Sequence, residues 1–560
     1  METRNTAQAM VDALIAQGVD TVFGIPGAHT YEFSDALYKA RNRIRMIHTR
    51  HEQAAGYMAY GYAKSTGRPG VFTVVPGPGL LNASAALCTA YGANAPVMCL
   101  TGNIMSHLIG QGRGQLHELP DQLALMRGLT KWSGRIDHVS EAPMVMAEAF
   151  HKMMSGRQRP VAVETPWDVF GQAGPVAPAE TTPPSRPIPD PALIAEAANL
   201  ARLAKRPMIM VGSGAAEAGA EVLDLAKALG APVVSHRSGK GIVSDGEPYA
   251  FDLVAGYDWW KGCDLLIGIG SRLELQFMRW RWQPPGLKVI RIDIDPTEMV
   301  RLKPDLAIVA DAAEGTCALL AALGDHAAAE RSAEFSTRRA EARLRMESVQ
   351  PQLVYLDAIR RALPRDGFFV EEVSQMGFTA RFGFPVYGPR HYVTCGYQET
   401  LGFGFNTALG VKVAHPDRAV VSVSGDGGFM FGVQELATAV QHNIAVVAVV
   451  FNNNAFGNVH RDQATAYDGR LIGSDLINPD FVALGKSFGV TSERVENPAA
   501  LEKALTRALA SERPYLIEVS VETGSETSPW TFLHPAPHTG GSQRPALEQM
   551  TATRRLPVGE

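Results

Sequence analysis

No apolar run in this chain approaches the ~18 residues that a membrane span needs, so nothing in it reads as a transmembrane helix. A basic excess is missing as well. The chain has 52 Lys and Arg against 57 Asp and Glu, a net charge of −5, which gives no electrostatic hold on nucleic acid or an anionic membrane. The N-terminal residues lack the basic-then-apolar layout of a secretory signal. Cysteine is scarce: Cys88, Cys99, Cys263, Cys317 and Cys395 are scattered, odd in number and without a Cys-x-x-Cys pair. Such thiols fit a reducing cytoplasm better than disulfides or a zinc site. A composition 46% hydrophobic and 19% charged excludes wholesale disorder. The 560 residues suffice for three or four domains, each with its own core.

What the chain has instead is alternation. Over residues 1–172, Asn5 or Thr6 is placed to cap a helix carrying Ala7, Met10, Val11, Leu14 and Ile15. Strands are expected at 21–23, 71–75, 97–100 and 161–164, separated by helix-sized segments. Seven prolines between Pro175 and Pro191 mark a surface linker. A second unit, 191–325, repeats the alternation with strands expected at 207–211, 232–234, 265–269 and 289–292. Its Gly212-Ser-Gly214-Ala-Ala-Glu217 begins like a dinucleotide fingerprint but has Glu217 where the third glycine belongs, so a structural strand-to-helix turn is expected there. Residues 327–349, rich in Glu, Arg and Ala, read as a solvated connecting helix. A third unit occupies 353–530, and 531–560 form a tail or a lid. The fold class that follows is α/β, with three doubly wound parallel-sheet domains in succession.

The stretch with the most chemistry is 425–453. Residues 419–424 read as a buried parallel strand. Gly425-Asp426-Gly427-Gly428 breaks it with backbone that can approach a ligand closely. A helix over 434–441 and a second buried strand over 444–451 then lead to Asn452-Asn453. Asp426 and Asn453, 27 residues apart, are thereby brought to the carboxyl ends of strands, where open α/β sheets bind ligands. A carboxylate, amide oxygens and glycine N–H groups suit Mg²⁺ holding a diphosphate. Gly-Asp-Gly alone is common turn chemistry; the βαβ-sized spacing to the asparagines sets this one apart.

That spacing resembles the thiamine-diphosphate signature, Gly-Asp-Gly followed one βαβ unit later by Asn. Other stretches agree. Phe23-Gly-Ile-Pro-Gly27, His51-Glu52-Gln53-Ala54-Ala55 and Val75-Pro-Gly-Pro-Gly79-Leu-Leu-Asn82 are similar to the pyrimidine-binding domain of acetolactate-synthase-type thiamine enzymes. Thr400-Leu401-Gly402-Phe403-Gly404 is similar to the loop with which that family bends the cofactor. The resemblance covers nearly the whole chain in the order pyrimidine, central and diphosphate domain. It implies thiamine diphosphate and Mg²⁺ as cofactors. It also implies a homodimer or homotetramer in which one subunit's pyrimidine domain faces another's diphosphate domain across the cofactor.

By the same resemblance, Glu52 is the carboxyl that activates the cofactor's aminopyrimidine. In an apolar pocket its pKa should rise, keeping a shareable proton near neutral pH; standing alone it would read as a first-turn glutamate favoured by the helix dipole. His51-Glu52 does not open a zinc motif, because Ala55 stands where the second histidine belongs. Pro26, Gly27, Pro78 and Asn82 are expected around the cofactor. Leu401 is the candidate wedge, with its N–H and the Glu399 carbonyl on the pyrimidine; taken alone, a Leu in an apolar stretch is equally a core residue. Asp426, Asn453 and the Ala455 carbonyl are expected to ligate the metal, while Gly425, Gly427, Gly428, Ser374 and Gln375 face the diphosphate.

Substrate choice falls to His29, Gln115 and His117, on loops expected to approach the cofactor's reactive carbon. A histidine there can bind a carboxylate or relay a proton; a solvated or core histidine is an equal account of each. Acetolactate synthases favour glycine or alanine near 29 and Phe-Gln-Glu near 116–118, where this chain has Leu116-His117-Glu118. Gly270-Ser-Arg272-Leu-Glu-Leu-Gln-Phe277 keeps the family's arginine without its Asp-Asp-Arg continuation, which weakens the case for FAD and for branched-chain amino-acid biosynthesis. Trp280, Arg281 and Trp282 are expected to pack rather than to rim a substrate. The expected activity is cleavage and formation of C–C bonds on 2-oxo acids, by decarboxylation and carboligation. The alternatives are a lyase or hydrolase of a diketone or acyl-CoA-like substrate, and a non-catalytic thiamine-binding subunit, against which Glu52 speaks.

Overall fold

The β-branched runs become strands buried along nearly their whole length, as helices on both faces of a parallel sheet require. The computed structural model describes residues 2–178, 181, 183–280, 282–536 and 542–543, and its chain divides into two compact units. The first comprises Met1–Ser185, Val354–Ala380 and Arg390–Glu526. It contains two six-stranded parallel sheets. The N-terminal sheet is built from Thr21–Gly24, Arg45–His48, Gly70–Val74, Val97–Asn103, Trp132–Arg135 and Val161–Pro166. The C-terminal one uses Phe368–Glu371, Tyr392–Val393, Val420–Gly425, Val447–Asn452, Thr491–Val495 and Tyr515–Ser520. Counted along the chain within each sheet, both have the strand order 2-1-3-4-6-5. The shared strand–helix grammar is therefore a shared topology.

The helices that follow the second strand of each sheet, Glu52–Thr66 and Gly404–Ala414, pack against one another. Their approach is set by glycine: a Cβ on Gly61 would lie 2.1 Å from the Thr407 carbonyl oxygen, and one on Gly410 would lie 1.9 Å from that of Met58. Tyr57 and Tyr60 meet the ring of Phe403 edge-on, at 5.6 and 5.3 Å. One apolar core spans both sheets around this crossing.

Two local expectations need adjustment. The strand expected from Ile444 starts at Val447. Asn443, at φ +48°, ends the preceding helix, and Ile444 N–H closes it onto the Ala439 carbonyl, so 444–446 belong to the turn. The proline-rich linker also begins later than Pro175. Ala173–Val176 pairs antiparallel with Glu2–Asn5, and proline is tolerated on such an edge.

The second unit comprises 186–353, 381–389 and the described residues from Thr527. Its six-stranded parallel sheet has the order 3-2-1-4-5-6, that of a dinucleotide-binding fold. Residues 213–215 form a short 3₁₀ turn before the helix Gly219–Leu229, the structural strand-to-helix turn expected there. The connecting helix is Ser332–Met346, anchored by buried Phe335, Ala342 and Met346. Trp280 and Trp282 are buried against Trp260, so they pack the core; Arg281 lies outside the described residues. Of the 531–560 segment, the end of the helix Trp530–Leu533, residues 534–536 and the strand Ser542–Gln543 are described, and the rest of the tail or lid lies outside. No helix among the described residues is long and apolar enough to cross a membrane.

Candidate active site

In the N-terminal sheet the chain turns out of Arg45–His48 into the helix Glu52–Thr66, whose first turn is capped by His51: Gln53 N–H donates to its Nδ1 at 3.1 Å. Glu52 accepts a 2.9 Å hydrogen bond at Oε2 from Asn82 Nδ2. Asn82 lies on the helix Pro78–Gly92, which opens at Gly77 with φ +61°. No L-residue fits at Gly77 without strain, because a Cβ would lie 2.6 Å from the His117 carbonyl oxygen. Glu52, Asn82 and Pro78 thus converge. Glu52 is half-buried within the chain, bonded to an amide and partly open to solvent.

Glu435, from the C-terminal domain, is fully buried and holds the turn before Glu52. Its carboxylate accepts from the backbone N–H of Arg50 at 3.1 Å and of His51 at 3.0 Å, and from Thr438 Oγ1 at 2.6 Å. Burial raises its pKa, against those hydrogen bonds.

His29 and His117 come together, with ring centroids 5.3 Å apart, and Trp167 lies edge-on to His29 at 4.9 Å. Both histidines have left-handed backbone, φ +70° and +65°, a strained conformation of the kind that clusters at functional sites. Both Nδ1 atoms are buried without a hydrogen-bond partner among the described residues. Burial, and then the neighbouring His117, lower the His29 pKa. Behind them, Gln122 ties together Gly77 N–H, the Gly102 carbonyl and the buried Glu164 carboxylate. Gln115 does not join the pair. It is exposed, and its N–H donates to Glu118 Oε2 at 2.8 Å. Gly27 lies below, where a Cβ would meet Val75 at 2.6 Å.

At the C-terminal sheet, Asp426 begins a single helical turn right after Val420–Gly425, and Asn453 follows Val447–Asn452 on the neighbouring strand. Both are buried, at 2% and 8% exposure. Asn478 Nδ2 donates to Asp426 Oδ2 at 2.7 Å, and Ala455 N–H donates to Asn453 Oδ1 at 3.1 Å. Burial raises the Asp426 pKa. Carboxylate, amide and carbonyl oxygens are the hard donor set that Mg²⁺ takes, so Asp426, Asn453 and Ala455 fit it. Gly428 and Gly427 admit no side chain: a Cβ would lie 2.9 Å from the Glu372 carboxyl and 2.4 Å from the Phe456 ring. Ser374 flanks Gly425 and accepts from Gly377 N–H at 3.1 Å. Gln375 Oε1 accepts from Arg461 at 3.0 Å, bringing a cation to the same end of the sheet.

The loop before Gly404 holds Glu399, at φ +51°, and a half-buried Leu401, so the latter is not a core residue. Glu372 organises this loop. Its carboxylate accepts from the N–H groups of Gly402, Phe403 and Gly404 and from Ser424 Oγ. Burial pushes it up to about 7 despite those donors. Glu371-Glu372 at the end of an apolar strand was the available sequence signal. Nothing in the sequence singled out Glu435, Asn478 or Arg461.

Three family models match the chain in order: the N-terminal TPP binding domain of thiamine pyrophosphate enzymes at 4–125, their central domain at 194–323 and their C-terminal TPP binding domain at 372–519. The chain belongs to the thiamine pyrophosphate enzyme family. Within it the chain is acetolactate-synthase-like. It is 34% identical over 532 residues to a probable 2-ketoarginine decarboxylase of Pseudomonas aeruginosa, covering 92% of this chain and 94% of the relative. It is 33% identical over 549 residues to a probable acetolactate synthase large subunit of Methanocaldococcus jannaschii, covering 92% of each. It is 31% identical over 562 residues to the acetolactate synthase isozyme 2 large subunit of Escherichia coli, covering 98% and 100%. Thiamine diphosphate is the family's cofactor, and the Glu52–Asn82 and Asp426–Asn453 clusters fall within the two thiamine-binding matches.

Proposed function

We propose that this protein is a thiamine-diphosphate- and Mg²⁺-dependent enzyme that removes CO₂ from a 2-oxo acid and passes the remaining fragment to a second carbonyl or to a proton. Residues 1–172, 191–325 and 353–530 are assigned as pyrimidine, central and diphosphate domains. One observation carries the reading: topologically equivalent ends of two like sheets bear a carboxyl–amide pair, Glu52–Asn82, and an oxygen cluster, Asp426–Asn453. When bound, thiamine diphosphate supplies the nucleophilic carbon and the electron sink for C–C cleavage. Glu52 exchanges a proton at its carboxyl oxygen, and Asn82 holds Oε2 so that Oε1 is the exchanging atom. Asp426, Asn453 and the Ala455 carbonyl hold Mg²⁺. Leu401 is the wedge, Glu399 offers its carbonyl to the pyrimidine, and Pro26, Gly27 and Pro78 line that end. Gly425, Gly427, Gly428, Ser374 and Gln375 face the diphosphate, with Arg461 supplying charge.

Glu52 and Asn82 share no hydrogen bond with Asp426 or Asn453 among the described residues, and Glu52 has an open face. Both observations suit a homodimer or homotetramer whose sites pair one subunit's Glu52 with another's Asp426.

The test is turnover of pyruvate, 2-oxobutyrate and 2-ketoarginine with thiamine diphosphate and Mg²⁺, measuring CO₂ and ligation products. Cofactor binding without turnover of any 2-oxo acid sinks the proposal. D426A is expected to lose Mg²⁺-dependent cofactor binding, and a calorimetric titration of normal affinity would count against the metal assignment. The His29–His117 pair favours one second reading, hydrolysis or lysis of a diketone or acyl-CoA-like substrate. Two adjacent imidazoles whose Nδ1 atoms are buried and without a partner among the described residues can steer a water or a proton. A cyclic 1,2-diketone cleaved faster than any 2-oxo acid would replace the first reading with the second.

A further inference from the structure

An asparagine that ligates a metal must present oxygen and send its amide N–H₂ elsewhere, and the two ends of the amide differ only in what they meet. Asn453 lies in a run of three asparagines, Asn452, Asn453 and Asn454. Its Nδ2 donates to Glu526 Oε2 at 2.8 Å. An ionised carboxylate only accepts, so this bond and the Ala455 N–H, which donates to Oδ1 at 3.1 Å, fix the flip together. The residue before it is treated alike: Asn452 Nδ2 donates to Glu518 Oε1 at 2.8 Å, which leaves its Oδ1 to accept from Asn478 at 3.0 Å. The segment carrying Glu526 grips Asn453 a second time, through Thr523 Oγ1, which donates to the Asn453 carbonyl at 2.5 Å. Glu526 lies beyond the 372–519 stretch that matches the C-terminal family model.

We propose that Glu526 is a positioning residue for the metal site, orienting the Asn453 amide so that Oδ1 points at the cation. Outer partners of this kind pre-set a ligand's geometry so that the metal does not have to order it on binding. Glu526 itself is not a ligand. This inference rests on the reading of Asp426 and Asn453 as the Mg²⁺ site.

Calorimetric titration of Mg²⁺ into protein with saturating thiamine diphosphate tests it on wild type, E526A, E526Q and D426A. E526A is expected to weaken Mg²⁺ roughly 10-fold or more, with the thermal midpoint of the metal-free protein unchanged. E526Q keeps an amide oxygen that accepts from Asn453 and is expected to stay within about twofold of wild type. If E526A does not fold, E526D replaces it, because drawing the carboxylate back by about 1.5 Å removes the bond and keeps the charge; the same loss is expected. Wild-type Mg²⁺ affinity in E526A or E526D overturns the proposal. So does an E526Q loss as deep as that of E526A, which would make the charge itself the ligand. Normal affinity in D426A would instead mean that the metal-site reading has failed, and this inference with it.

Discussion

Glu52 opens a helix and Glu372 directly follows the strand Phe368–Glu371, and their surroundings divide them. Glu52 is half-buried with a single amide partner, which suits a group that must exchange a proton. E52Q is expected to bind cofactor normally but to slow exchange of its C2 proton roughly 100- to 10,000-fold; unchanged exchange, followed by NMR in D₂O, would refute the assignment. Glu372 is fully buried with four donors and is pushed from 4.5 to about 7. Because its folded pKa lies above the unfolded one, the native state holds the extra proton, and stability falls as pH rises from 4.5 to 7. The change is worth roughly 3 kcal/mol. Thermal midpoints across that window should therefore slope downward in wild type relative to E372Q, and parallel profiles would show that Glu372 does not titrate there.

The helix crossing shows how an element's partner reverses a residue's usual effect. Glycine within a helix is normally about 1 kcal/mol worse than alanine. Here the carbonyl oxygens of Thr407 and Met58 occupy the space that a methyl group on Gly61 or Gly410 would need. G61A and G410A are expected to destabilise by about 1–3 kcal/mol, read as a lowered thermal midpoint. A raised midpoint would mean that the helices part without cost. Glu435, on the short turn before the helix Leu436–Gln441, caps with its carboxylate the turn from which Glu52 projects. The start of the helix that carries Glu52 is thus held by the domain that carries Asp426.

For the whole molecule, the proposed homodimer or homotetramer shares each site between two copies. Mixed E52Q and D426A subunits would contain one site in which both residues are intact and one in which both are lost. Co-refolded mixtures should then regain roughly a quarter of wild-type specific activity, although each homo-oligomer is inactive. No recovery in mixtures shown by mass spectrometry to contain hetero-oligomers would place both residues in one chain's own site. The two like sheets give this arrangement a physical basis, since equal strand orders present equivalent sheet ends for pairing.

The buried central strands, the turns that lead to Asn82 and Asp426, and the long spacing to Asn453 were legible in the sequence. They depend on β-branching, glycine and proline, which act on their immediate neighbours. The positions of His29, His117 and Gln115 were not. All three lie on loops, and only the folded chain brought two imidazoles together and left the glutamine exposed. The hydrogen-bond partners of Glu372, Glu435 and Glu526 came from tertiary structure alone. The first two are satisfied largely by backbone N–H groups, which nearly every residue carries and no pattern reveals. The third finds its amide 73 residues back along the chain. A buried carboxylate's role follows from which donors the fold delivers to it, and that is decided in three dimensions.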